Sequence, residues 1–222
     1  MEYSHIVRQL VISAVPILIA IILHEVAHGY VAYKLGDPTA KIAGRLTLNP
    51  ISHVDPFGTI LMPLLLFVFT DGRFVFGFAK PVPINPYNFR NPKRDMALSS
   101  LGGPGTNLVL AAVSALVLRH VLVPAAVVLP EAYEATVMEP LAMMVKSSII
   151  VNVVLAVFNM MPIPPLDGGR VLMGLLPDRQ AALLGRVEPY GFLIVILLVA
   201  TGAANYVIMP FIAIILHLIT ML

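Results

Sequence analysis

Apolar residues run almost without interruption from about Ile6 to Tyr33. A helix needs roughly 20 such residues to cross the hydrocarbon core of a bilayer, so this stretch can span it, with Pro16 placed to kink it. The run exceeds the roughly 7–15 residues of a signal-peptide core and offers no convincing cleavage site, so it reads as a retained first membrane helix. A polar segment follows from Gly36 to Pro56, with turn signals at Asp37-Pro38, Asn49-Pro50 and Asp55-Pro56. Residues 57–70 are apolar again, but they are too few to span and Pro63 interrupts them. That length predicts a re-entrant or interfacial segment. From Asp71 to Phe78 the period changes to two, with Phe74, Phe76 and Phe78 on one side, which predicts a short strand or half of a hairpin.

Pro81, Pro83, Pro86 and Pro92 make the next stretch an irregular connector. A second spanning helix is expected from about Met96 to Val123. Within it, Gly102-Gly103-Pro104-Gly105-Thr106-Asn107 is a run of small residues that lets another backbone approach. A third is expected from Leu141 to about Met161, ending at Pro162, Pro164 and Pro165. Two further apolar runs, about Pro189–Ala200 and Tyr206–Leu222, are separated by Thr201-Gly202. No repeat or low-complexity stretch interrupts the pattern. The fold class expected is therefore an all-α polytopic membrane protein. It has about five to six transmembrane helices and a short re-entrant or β-hairpin segment near residues 57–80. We expect one membrane-embedded domain over residues 1–222, with a core at about 6–175 and C-terminal helices at 189–222.

Composition agrees and narrows the chemistry. The 222 residues are 59% hydrophobic and only 12% charged, with a mean hydropathy of +0.91. A soluble domain carries about 25% charged residues, so lipid is the expected solvent for most of this surface. Cysteine is absent, so any metal must be held by nitrogen and oxygen ligands. A formal charge of +2 gives no reason to expect nucleic acid as a partner.

Charge placement orients the chain. If residues 57–70 do not cross, Lys34, Lys41, Arg45, Arg73, Lys80, Arg90, Lys93 and Arg94 share one side, and Arg170, Arg179 and Arg186 return to it. The other side keeps Arg8, Arg119 and Lys146, with the acidic Glu131, Glu134 and Glu139. By the positive-inside rule the first side is cytoplasmic.

Against this apolar background, His24-Glu25-Val26-Ala27-His28 stands out. Histidines four apart on a helix project from one face about a turn apart, which suits two corners of a tetrahedral zinc ion. Glu25, beside the first of them, can take a proton without itself being a ligand. Ionisable groups in a membrane helix are costly and usually functional. The plainer alternative is a satisfied polar cluster or a proton relay. A catalytic zinc needs a third protein ligand, for which Asp37, His53, Asp55, Asp71, Asp95 and Asp167 are candidates. Asp167 leads them, because it follows the third spanning helix at matching depth. It also precedes Gly168-Gly169, which lets the backbone turn a carboxylate back into the bundle.

His24–His28 and the run Asn159–Gly169 together resemble the site-2 protease family of intramembrane zinc metalloproteases. That family has HExxH in one membrane helix and an asparagine-proline-leucine-aspartate-glycine motif at the end of another. The small-residue run ending at Asn107 is similar to the family's middle core helix. The resemblance covers about residues 15 to 175. It implies one zinc ion per chain held by His24, His28 and Asp167, with Glu25 as general base. It implies a substrate that is itself a membrane-spanning or membrane-anchored protein, cut near the cytoplasmic face. An integral protein of a bacterial or archaeal plasma membrane is expected, without the PDZ or CBS module of some relatives.

Asn107 and Asn159 are amides in apolar helices. They either tie helices together or hold the substrate backbone or a developing oxyanion. His53 and Asp55 are candidates to orient the zinc ligands, or else turn residues at the interface. His217, His5 and His120 are expected to pack or to sit at helix ends. The strand at Phe74–Phe78 is a candidate to pair with an unwound substrate. Two other classes stay open: a divalent-metal or proton-coupled transporter, and a catalytically inactive scaffold that binds membrane segments.

Overall fold

The computed structural model describes residues 2–69, 77–130 and 133–222. Among these residues the chain is helical, with irregular connections and no strand. Helix α1, Glu2–Lys34, carries Pro16 inside it. Helix α2, Pro56–Phe69, opens on a π-helical turn capped by Asp55, whose carboxylate accepts from the N–H groups of Phe57 and Gly58. Helix α3, Pro92–Val128, begins after Asn91, whose side chain accepts from the Arg94 N–H, and passes through a π-helical turn at Leu118–Leu122. Helix α4 is Thr136–Asn159. Then follow α5 (Asp167–Leu175), α6 (Asp178–Gly185), α7 (Glu188–Ala200) and α8 (Ala203–Thr220).

Four described helices are long and apolar enough to cross a membrane: α1 from Ile12, α3, α4 and α8. The pair α6 and α7, bent by 64°, makes a fifth if it is one span. The protein is thus a polytopic helical membrane protein. Helix α2 has six residues in its first part and eight in its second. At 1.5 Å per residue it reaches about 20 Å, short of a hydrocarbon core of about 30 Å. The expected strand at Asp71–Phe78 lies outside the described residues up to position 76. Gly77 and Phe78 lead into a segment without regular secondary structure that runs to Asn85.

Helices α1, α3 and α4 pack against one another in all three pairs, α5 lies on α3, and α8 lies on α4 and α7. In lipid, helices gain no hydrophobic energy by associating, so close backbone contact and hydrogen bonds must hold them. The sequence supplies both. A Cβ at Gly102 would stand 3.1 Å from the Ala27 carbonyl oxygen, so α3 lies almost on the backbone of α1. Ala111, Ala115, Ile149, Val153, Ile208 and Ile212 form the dry seam among α3, α4 and α8. Large apolar side chains face outward instead, among them Ile19, Val109, Val113, Leu193 and Leu197. On a soluble protein such a surface would aggregate; here it meets acyl chains.

Of the spans predicted from apolar runs, those near residues 6–33, 96–123, 141–161 and 206–222 appear with shifted ends, while the run at 189–200 is long enough only if joined to α6 across the bend. The short helices α5 and α6 were not predicted, because each mixes polar and apolar residues over only two turns.

Candidate metal centre

His24 and His28 lie one turn apart on α1 and are both buried. Their Nε2 atoms are 3.0 Å apart, and the rings meet edge to face. Asp167, the first residue of α5, puts Oδ2 at 3.2 Å from each of those nitrogens. At a helix N-terminus its carboxylate also gains from the helix dipole. These three residues are a group able to hold a metal ion.

Whether they fit zinc turns on which atoms carry hydrogens. The Nδ1 of His28 is 2.7 Å from the Ser99 carbonyl oxygen, an acceptor only, so Nδ1 carries the hydrogen and Nε2 is bare. The Nδ1 of His24 is 2.5 Å from Asn107 Oδ1, which likewise can only accept. Asp167 Oδ2 is buried and receives no hydrogen bond. Three bare acceptor atoms therefore converge, an arrangement that repels itself unless a cation sits among them. A tetrahedral ion with bonds of about 2.0–2.1 Å holds its ligand atoms about 3.3 Å apart, close to the separations found here. The donor set, two imidazoles and a carboxylate with no thiolate, fits a catalytic zinc with its fourth position open.

Helix α3 closes the site by what it lacks. A Cβ on Gly103 would fall 2.4 Å from His28 Nε2 and 2.6 Å from His24 Nε2. Ser99, Gly103 and Asn107 thus form one stripe at spacing four: Ser99 serves His28, Asn107 serves His24, and the glycine leaves room between them. The Ser99 hydroxyl also donates to the His28 carbonyl oxygen. Gly168 and Gly169 act in the same way rather than through unusual torsions. A Cβ on either would strike the Met160 carbonyl or the Pro164 nitrogen within 2.3 Å. Positive φ among the described residues occurs only at Gly36, Gly44 and Gly202.

Glu25 is half-buried beside this group, and its Oε2 accepts from the backbone N–H of Val82 at 2.8 Å. Segment 77–85 therefore reaches Glu25 at Val82 and holds the carboxylate from outside α1.

The remaining candidates are placed as follows. Asn107 is fully buried; its Nδ2 donates to Asn152 Oδ1 at 2.7 Å and reaches toward the Ala20 carbonyl at 3.4 Å. Asn159 is half-buried and donates to the Leu155 carbonyl of its own helix. His53 is buried, donating from Nε2 to the Thr47 carbonyl, while its own carbonyl receives the Lys80 N–H. Asp55 caps α2. Asp95 caps α3 through the Asn91 N–H and pairs with Arg94. Asp37 is taken up by Thr39, Asn85 and Asn88. Asp71 lies outside the described residues. His120 and His217 are exposed. Of the five candidates for a third ligand among the described residues, Asp167 is the one brought to the histidines. Sequence reading missed Asn152, which belongs to no motif.

Comparison with known proteins bears directly on this geometry. The model of Peptidase family M50 matches residues 12–202. YwhC of Bacillus subtilis (strain 168), which bears a zinc-metalloprotease name, is 39% identical over 198 residues, covering 88% of this chain and 83% of its own. Rip2 of Mycolicibacterium smegmatis, also named for zinc-metalloprotease activity, is 31% identical over 85% of this chain and 66% of its own. Its Mycobacterium tuberculosis (strain H37Rv) counterpart is 30% identical over 75% of this chain and 58% of its own. No solved structure matches. Bare imidazoles and a carboxylate gathered in a helical membrane bundle, matched along most of the chain by this family, lead to one conclusion: the chain belongs to Peptidase family M50, the site-2-type intramembrane zinc metalloproteases.

Proposed function

We propose that His24, His28 and Asp167 hold the zinc, that Glu25 is the general base, and that the whole chain forms one catalytic domain cutting membrane-spanning protein segments near the cytoplasmic face. The observation that carries this reading is the convergence of three hydrogen-free acceptor atoms at 3.0–3.2 Å. Zinc bound there supplies Lewis-acid polarisation of a peptide carbonyl and acidifies a water molecule. The protein's own groups do the rest. Glu25 accepts a proton at the carboxylate that Val82 holds in place, then passes it to the departing amine. Asn159, half-buried near the end of α4, is the candidate to face substrate or the developing oxyanion, since Asn107 is fully engaged inside the bundle.

A helical substrate hides its carbonyls in its own hydrogen bonds and must be unwound before it is cut. We assign that task to residues 71–78, whose alternating pattern suits strand addition to an extended substrate. Helix α2 is read as re-entrant, because it is too short to cross and because the basic residues before and after it then share one side. That side is the cytoplasm of a bacterial or archaeal cell, and His53 and Asp55 help to shape the segment facing it.

The test is cleavage of a membrane-spanning reporter by the purified chain in liposomes. Cleavage is expected to stop when a chelator removes zinc and to return when zinc is restored. Val75→Pro is expected to abolish cleavage with zinc still bound. Chelator-resistant cleavage would contradict the zinc site, and full activity of the proline variant would remove the strand.

A further inference from the structure

Asn152 lies in α4, seven residues before Asn159 and outside every motif. It is 1% exposed, and both ends of its amide have partners. Its Nδ2 donates to the Ser148 carbonyl at 2.8 Å and approaches the Ser148 hydroxyl at 3.2 Å. A backbone carbonyl cannot donate, so this end of the amide must be nitrogen and the other must be oxygen. That oxygen faces α3 and accepts from Asn107 Nδ2 at 2.7 Å. Asn107 is thereby turned so that its own oxygen meets His24 Nδ1. The hydrogen of His24 then sits on Nδ1, and Nε2 is left bare toward His28 and Asp167.

An amide's two ends are nearly equal in size, and only its partners decide which way it faces. Apart from Asn152, the one partner among the described residues that receives the Asn107 Nδ2 is the Ala20 carbonyl at 3.4 Å, near the limit of a hydrogen bond. Were Asn107 to flip, it would present N–H to His24 Nδ1. The imidazole would have to accept there and move its hydrogen to Nε2, the position needed by the metal. We infer that Asn152 is a positioning residue for the metal centre: through Asn107 it sets which nitrogen of His24 is free to bind zinc. The direction is imposed from the far end, by a carbonyl of α4, across three helices. This inference rests on the reading of His24, His28 and Asp167 as the zinc ligands.

Loss of a hydrogen-bond partner behind a metal-binding histidine typically weakens the metal by roughly 10–100-fold. The experiment measures zinc affinity of the full chain in detergent by chelator competition, with the visible spectrum of the cobalt-loaded protein and thermal stability alongside. Asn152→Leu is expected to weaken zinc by roughly 10–100-fold and to perturb the cobalt spectrum, although its apolar side chain suits the bundle. If that variant is not recovered folded, Asn152→Ala carries the same expectation. Asn152→Asp retains an oxygen for Asn107 and can receive the Ser148 hydroxyl. It is expected to bind zinc close to wild type while losing thermal stability, because it buries a carboxylate in an apolar bundle.

A merely structural role would instead rank zinc affinity with stability, placing the Asp variant below the Leu variant. That ranking, or wild-type affinity without the amide, overturns the inference. Asp167→Ala is the control: if it also binds zinc like wild type, the ligand assignment itself has failed, and not the relay.

Discussion

The most exposed wager at the scale of single residues is Gly103. Alanine is the better helix former by about 1 kcal/mol, so Gly103→Ala should leave α3 intact or firmer. Its methyl would nevertheless occupy the space beside both Nε2 atoms. Zinc content is expected to fall at least about tenfold with helicity unchanged by circular dichroism; normal zinc content would mean that α3 does not close the site. Some of this scale was legible beforehand. His24, Glu25 and His28 announce themselves because charge in an apolar helix needs a reason, and Asp167 followed from depth and flanking prolines. Asn152 was illegible, since a single amide in a hydrophobic helix looks like any other until its partner on another helix is seen. The role of Gly103 was half legible: close approach could be read, but not what approaches.

Among elements, the segment 77–85 is the one whose sequence said least. Its prolines predicted only irregularity. The structure ties it down repeatedly: Phe78 N–H to the Gly58 carbonyl, Lys80 N–H to that of His53, Arg45 to the Lys80 carbonyl, Val82 N–H to Glu25, and Asn85 N–H to Asp37. Burial pushes the Asp37 carboxyl up, but hydrogen bonds from Asn88, Thr39 and the Asn85 N–H outweigh it and hold it below the usual range. The Asn85 link to Asp37 is therefore at full strength at neutral pH and weakens only as pH falls through the lowered Asp37 pKa. Val82→Pro removes the N–H that Glu25 accepts. Hydrogen bonds to charged groups contribute about 1.5–3 kcal/mol, so turnover should drop by about tenfold or more with zinc retained. Unchanged turnover would show that Glu25 is positioned without the strap. Long spans were legible because lipid demands about 20 apolar residues. The strap and the two short helices were not, because their positions depend on contacts distant in sequence.

For the whole molecule, the polar ladder bears on the rival class. Beyond His24 it runs through Asn107 and Asn152 to Ser148, whose hydroxyl meets that of Ser114 at 2.9 Å. The sequence suggested polar groups at one depth, and the bundle extends them further. Yet every group past His24 is a neutral amide or hydroxyl, suited to orienting a ligand rather than to carrying protons.

The topology is testable because the chain has no native cysteine. Single cysteines at Lys41 and Arg90 are expected to react with an impermeant reagent from the same face, and one at Val127 from the other. Labelling of positions 41 and 90 from opposite faces would mean that α2 crosses.

The central claim, a zinc ion held by His24, His28 and Asp167 with Glu25 as the base, is reached most directly by one paired measurement. Zinc content and cleavage of a membrane-spanning reporter are measured for wild type and Glu25→Gln. The account predicts about one zinc per chain in both proteins, with cleavage only by the wild type. Cleavage by the Gln variant, or a wild-type protein that binds no zinc, would contradict it.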